Sequence, residues 1–264
     1  MSVHRAYQAA LQQGYQADPA QQVALDALQT CYAGLSSGQK QVLGVYLWGA
    51  VGRGKTWLMD LFFQSVKEQA RRQHFHHFMR YIHQRLFALT GTKEPLQVIA
   101  KELASEVRVL CFDELYVNDI GDAMLLGPLF QALFSEGVTL VATSNIAPQG
   151  LYEDGWNRQP FLPAIAALEK HCTVVHLDGA QDHRLQLAAN KQRYWQGDAP
   201  GMQQAFEWYG PEVDLKRIEL TAGHELVALR TSERAVWATY QSFCMQPLHY
   251  VIALPVLSSV TSRI

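Results

Sequence analysis

The sequence predicts an α/β protein built on a parallel sheet, with a phosphate-binding loop near its start. Three observations carry that expectation. Short apolar, β-prone runs alternate with helical patterns of about ten residues or more between residues 45 and 177. One run, Val45-Tyr46-Leu47-Trp48, leads into Gly49-Ala50-Val51-Gly52-Arg53-Gly54-Lys55-Thr56, which fits G-x-x-x-x-G-K-[ST]. Finally, Gly49, Asp113 and Asn145 each fall just past a predicted strand, where parallel sheets bind their ligands.

Composition sets the outer bounds. The 264 residues are 48% hydrophobic and 17% charged, enough core for one large or two small domains. The net charge of −2 implies no broad basic field, so nucleic acid is not suggested as a partner. Cys31, Cys111, Cys172 and Cys244 are far apart with no C-x-x-C, so a reducing compartment fits best. No apolar leader opens the chain, and no apolar stretch approaches the ~18 residues of a membrane span. A cytoplasmic protein is expected, with peripheral membrane attachment left open.

Taken in order, residues 1–40 read as a helical arm. Asp18-Pro19 supplies a cap and a first helical proline, Val23, Leu25, Ala27 and Leu28 give an apolar face, and Gly34 to Gly38 close the segment. A helix opens near Lys55, with Leu58, Leu61, Phe62 and Val66 at helical spacing. His74-Phe75-His76-His77-Phe78-Met79 reads as a strand leading into a helix at 79–90. Its three histidines invite a metal, but structural zinc wants four ligands and no partner pair lies nearby. Glu94 to Ala104 is helical, and Val107 to Phe112 is a strand ending in Asp113-Glu114. Asp119 caps a helix carrying Ala123, Leu126, Phe130 and Leu133 that stops near Gly137. Val138 to Ala142 is a buried strand ending in Thr143-Ser144-Asn145. Phe161 to Lys170 is helical and Thr173 to Leu177 strand-like. Gly197 to Gly201 reads as a linker, followed by a short helix and irregular strand signals at 215–230. The expected division is therefore 1–40, 41–196 and 197–264.

These positions point to one chemistry. Glycines let the backbone bring several N–H groups against phosphate oxygens, and the helix that follows aims its positive end at the same anion. Lys55 then reaches the β- and γ-phosphates of ATP, and the Thr56 hydroxyl ligates Mg2+. An apolar strand ending in Asp113-Glu114 gives a carboxylate for the Mg2+ shell and a second to polarise the attacking water. Asn145 could bond that water or the γ-phosphate, or simply form a turn. Arg158, ahead of a helix, reads either as an arginine finger or as a solvated surface cation.

The ordered set of Tyr46 to Thr56, Val109-Leu110-Cys111-Phe112-Asp113-Glu114 and Ala142-Thr143-Ser144-Asn145 resembles the ZapE cell-division ATPases. These are AAA+ proteins, bacterial relatives of a mitochondrial ATPase. Phe75-His76-His77-Phe78-Met79, Asp119 to Met124, and Arg158 with Phe161-Leu162-Pro163 resemble the family's internal signatures, although His77 stands where the family often has a charge. The similarity runs from about Tyr7 to about Tyr250. It implies an AAA+ core in which Asn145 is the sensor-1 residue. Arg158 is then a finger acting on a neighbouring subunit's ATP, which makes the protein a homo-oligomer. Arg184 matches a basic position after the fifth core strand. The resemblance further implies a role in cell division, modulating the FtsZ ring at the cytoplasmic membrane face. The chain reaches Ile264 without the family's closing helix and its paired arginines, so an ATP-binding interaction module with little turnover is the first alternative. A helicase-loader-like AAA+ ATPase is the second, and the near-neutral charge gives it little support.

Overall fold

The computed structural model describes residues 2–12, 18–178, 203, 206–207, 212–213, 217–219, 225–232 and 236–239. The chain divides into two units, Met1–Leu187 and Ala188–Ile264.

In the first unit, β1 (Gly44–Trp48), β2 (Ala70–His74), β3 (Val109–Asp113), β4 (Thr139–Ser144) and β5 (Cys172–His176) form one sheet in the order β2-β3-β4-β1-β5. Every pairing is parallel, so all five carboxyl ends lie on one edge. The strand ends are aligned there, with Trp48 opposite Ser144 and His74 opposite Asp113. Helices cover both faces, and each side of the sheet therefore carries its own apolar layer. Tyr46, Leu110, Phe112 and Ala142 point into one, with Phe78 and Ile82 of α4 (Phe75–Ala88), Ile99 of α5 (Pro95–Glu106), Phe130 of α6 (Ile120–Ser135) and Leu168 of α7 (Leu162–His171). Val45, Leu47, Val109, Cys111 and Val141 point into the other. There they meet Val3 and Tyr7 of α1 (Val3–Gln12), Leu25 and Leu28 of α2 (Pro19–Ser36) and Phe62 of α3 (Lys55–Val66). Successive residues of β1 thus serve opposite layers, as strand geometry requires.

The expected caps form. The Asp18 carboxylate accepts the Ala20 N–H at 2.9 Å at the start of α2, and Asp119 accepts that of Asp122 at 3.1 Å at the start of α6. Cys31, Cys111 and Cys172 are free and buried.

Two expectations are corrected. The second strand is Ala70–His74, and the residues read as a strand from Phe75 onward open α4. Phe75, Phe78, Met79 and Ile82 are buried at helical spacing, a face that a strand could not assemble. The true strand escapes a periodicity search because it is an edge strand with five half-buried residues, and Arg71 and Arg72 turn to carboxylates instead of the core. In α2, Val23 is 64% exposed, because the buried stripe runs through Ala24, Leu25, Leu28, Cys31 and Leu35.

In the second unit, β8 (Glu225–Ser232) pairs antiparallel with β6 (Glu212–Val213), β7 (Arg217–Glu219) and β9 (Val236–Ala238). The linker expected at 197–201 lies outside the described residues. Among the described residues no helix is long and apolar enough to cross a membrane.

Candidate nucleotide site

The glycine-rich octet joins β1 to α3 on the sheet's carboxyl edge, where β1 lies between β4 and β5. Gly49, Gly52 and Gly54 have φ of 144°, 87° and 82°, and Gly54 is the residue from which α3 starts. A Cβ on Gly49 would lie 2.5 Å from the Leu177 carbonyl oxygen, so backbone from the end of β5 closes on the loop and admits no side chain. Lys55 is buried, and its Nζ donates to the carbonyls of Gly49 at 2.7 Å and Ala50 at 2.8 Å. Burial lowers its pKa, the Arg53 charge lowers it further, and the Glu114 carboxylate opposes both. Val51 and Thr56 are exposed, and Arg53 is half-buried. The Arg53 carbonyl accepts from the Gln21 side-chain amide of α2 at 3.2 Å, which ties the N-terminal arm to the loop.

Asp113 ends β3 as a buried carboxylate, and Arg72 of β2 grips it with two hydrogen bonds, Nε to Oδ2 at 2.7 Å and Nη2 to Oδ1 at 3.0 Å. Glu114 follows, exposed and held at φ 54°, a left-handed conformation unusual for a residue with a side chain. The end of β4 pins this turn. The Thr143 hydroxyl accepts the Glu114 N–H at 3.1 Å, the Thr143 carbonyl accepts that of Leu115 at 2.7 Å, and the Ser144 hydroxyl donates to the Leu115 carbonyl at 2.8 Å. Asn145 emerges exposed from β4, the strand lying between β1 and β3, so it sits between the glycine loop and the Glu114 turn.

Arg158 is not gathered into this cluster. Its Nη2 donates to the carbonyls of Gln149 and Leu151 behind it, and its Nε is buried without a hydrogen-bond partner. The loop leading to it contains two left-handed residues, Tyr152 at φ 53° and Asn157 at φ 54°, and leaves Trp156 78% exposed. Arg184 lies outside the described residues. Motif reasoning missed Gln21 and Arg72, and it quoted Thr143 without the contact it makes to Glu114. Each of these contacts joins residues more than twenty apart in sequence, and no local pattern announces it.

The sequence profile of the AFG1-like ATPases matches residues 1–257. The chain belongs to the AFG1-like ATPase family. It is 49% identical over 180 residues to the cell division protein ZapE of Escherichia coli K12, covering 68% of this chain and 44% of that protein. It is 34% identical over 225 residues to lactation elevated protein 1 homolog B of Danio rerio, covering 78% of this chain and 45% of that one. The chain thus spans about half the length of these AFG1-like relatives. The resemblance to ZapE read from the motifs is borne out. Among solved structures, AMPPCP-bound DnaA from Aquifex aeolicus superposes with a TM-score of 0.48 at 15% identity, over 66% of this chain and 52% of that one.

The octet, the aspartate–glutamate pair and the asparagine strand end thus lie on one edge of a parallel sheet in this AFG1-like chain. The donor set also suits a hard divalent cation, since Mg2+ takes few protein oxygens and keeps waters and phosphates. Asp113 offers such an oxygen at the strand end, already charge-compensated by Arg72.

Proposed function

We propose that this chain hydrolyses ATP in a Mg2+-dependent reaction at the edge where Gly49 to Thr56, Asp113, Glu114 and Asn145 meet. The observation that carries the proposal is a buried Lys55 ammonium held on the Gly49 and Ala50 carbonyls of the glycine loop, on the same sheet edge where β3 ends in the Asp113 carboxylate. The loop amides and the amino end of α3 bind phosphate oxygens, and Lys55 leaves its two backbone carbonyls for the β- and γ-phosphates. Thr56 and Asp113 are the residues that hold Mg2+, which when bound neutralises charge on the phosphate oxygens. Glu114 orients and polarises a water for attack, and Asn145 bonds that water or the γ-phosphate.

Arg158 then completes the site of a neighbouring copy of the chain, which makes the active form a homo-oligomer. The 49% identity to ZapE supports a division role, read here as ATP-dependent modulation of the FtsZ ring at the cytoplasmic membrane face. With a net charge of −2, DNA is not part of the proposal.

The deciding experiment measures steady-state phosphate release with Mg·ATP for the chain and for Glu114→Gln, alongside nucleotide binding by both. Turnover in the parent, lost in the variant while binding persists, supports hydrolysis with Glu114 in this role. Binding without turnover in either favours an ATP-binding interaction module. No binding by either overturns the nucleotide reading itself.

A further inference from the structure

Arg72 joins the metal-binding carboxylate to the phosphate-binding helix, and none of the recognised motifs accounts for it. It is the third residue of β2 and pairs in register with Cys111, two residues before Asp113 on β3. Its side chain therefore lies along the same face of the sheet as that of Asp113. The guanidinium grips both Asp113 oxygens, and its third nitrogen, Nη1, donates to Asp60 of α3. Phe63, also on α3, presents its ring 5.9 Å from the guanidinium carbon. The side chains of Arg72 and Asp113 are only 18% and 12% exposed, whereas that of Asp60 is 52% exposed.

Asp60 lies four residues after Thr56, one turn further along the same face of α3. A continuous connection therefore runs from Thr56 through one helical turn to Asp60, across Arg72, and into Asp113. We propose that Arg72 is a positioning residue for the metal site, holding the Asp113 carboxylate in one orientation and in fixed relation to the helix face that carries Thr56. The inference deepens the Mg·ATP reading of the site and rests on it.

The chemistry favours orientation over competition. A carboxylate has about four lone-pair directions, and the fork uses one on each oxygen, leaving one on each for a metal or its bound water. A planar fork also fixes the plane of the carboxylate, which a lysine ammonium at the same place cannot do. Removing an orienting partner of a metal ligand typically costs 10–100-fold in metal affinity. A purely architectural role, stapling an edge strand to its neighbour, would instead alter stability and leave the metal dependence alone.

The test titrates Mg2+ into the chain with a fluorescent ATP analogue, and repeats the binding in EDTA, for the parent, Arg72→Lys and Asp60→Asn. Arg72→Lys keeps the charge and loses the fork. Its Mg2+ midpoint is expected to rise about tenfold or more, with affinity in EDTA falling by much less. Asp60→Asn, at a half-exposed position one step further from the carboxylate, should raise the midpoint by a smaller factor. An unchanged or lowered midpoint in Arg72→Lys overturns the proposal, as does an equal loss of affinity with and without Mg2+. Should Arg72→Lys fail to fold, Asp60→Asn decides alone on the same criteria. A parent that binds the analogue identically with and without Mg2+ overturns the underlying reading, and this inference with it.

Discussion

The Thr143 hydroxyl accepts the backbone N–H of Glu114 at 3.1 Å, so the last residues of β4 dictate how the proposed water-orienting carboxylate is presented. Glu114 occupies a left-handed conformation that costs ~1–3 kcal/mol unless its surroundings enforce it. Thr143→Val keeps the shape and burial of the side chain but leaves that amide without its acceptor. The expected result is a loss of about 1–3 kcal/mol in denaturant unfolding. Phosphate release should fall more than nucleotide affinity does. A variant as stable and as active as the parent would refute the pinning role.

Lys55 gives the site an alkaline limit. Burial first, and the Arg53 charge second, lower its pKa against the opposing pull of Glu114. The free protein therefore loses the ammonium at a lower pH than an ordinary lysine does. Nucleotide affinity should decline as pH rises through that lowered value, and Lys55→Met should bind weakly with no such decline. Stability has the opposite sign. The folded state binds this proton less tightly than the unfolded chain, so the penalty for burying the charge is relieved between the lowered value and the ordinary one. Parallel titrations of affinity and unfolding, parent against Lys55→Met, check both signs.

Gly49→Ala meets two obstacles together, a φ of 144° and a carbonyl oxygen 2.5 Å from the new Cβ. The expected cost is about 1–3 kcal/mol of stability, with nucleotide binding reduced as the loop shifts. Thermal unfolding and a binding isotherm measure the two effects. An unperturbed variant would mean that the loop end and β5 part easily.

Arg158 turns back onto its own loop carbonyls, and its proposed partner belongs to another copy of the chain. Arg158→Ala should lose about 10³-fold or more in turnover, the usual contribution of an arginine finger. Mixing it with equally inactive Lys55→Met should restore part of the activity, because each variant lends the other what it lacks. A mixture as inactive as its components would count against action in trans.

Much of this edge is legible in the sequence because the chemistry is local there. The glycine loop must be contiguous to wrap a phosphate, and Asp113-Glu114 and Asn145 come just after the apolar runs Val109 to Phe112 and Leu140 to Ala142, which are easy to find. What escapes is whatever faces across the sheet. β2 spells Ala-Arg-Arg-Gln-His, with no apolar alternation, because one arginine turns to Glu106 and the other to Asp113 and Asp60. The partner of Arg72 lies 41 residues further on, and no spacing rule connects the two. Val23 shows the converse failure, since an apolar side chain at a plausible position still falls outside the buried stripe of α2.

The strand order has a bearing on how the molecule comes into being. β1 makes no ladder with β2 or β3, the strands that follow it in the chain. Its neighbours are β4 and β5, with Val45 aligned to Val141 on one side and Thr173 on the other. Closing loops of that length is slow, and no early hairpin can shorten them. On the ribosome, the strand leading into the glycine loop is made before either neighbour and waits, both edges bare, for segments about a hundred residues later. A nascent chain released before Thr139 would carry the whole glycine loop and neither of the strands that pair with β1. The glycine loop, made before both of the strands that flank β1, is set in its sheet only after they are.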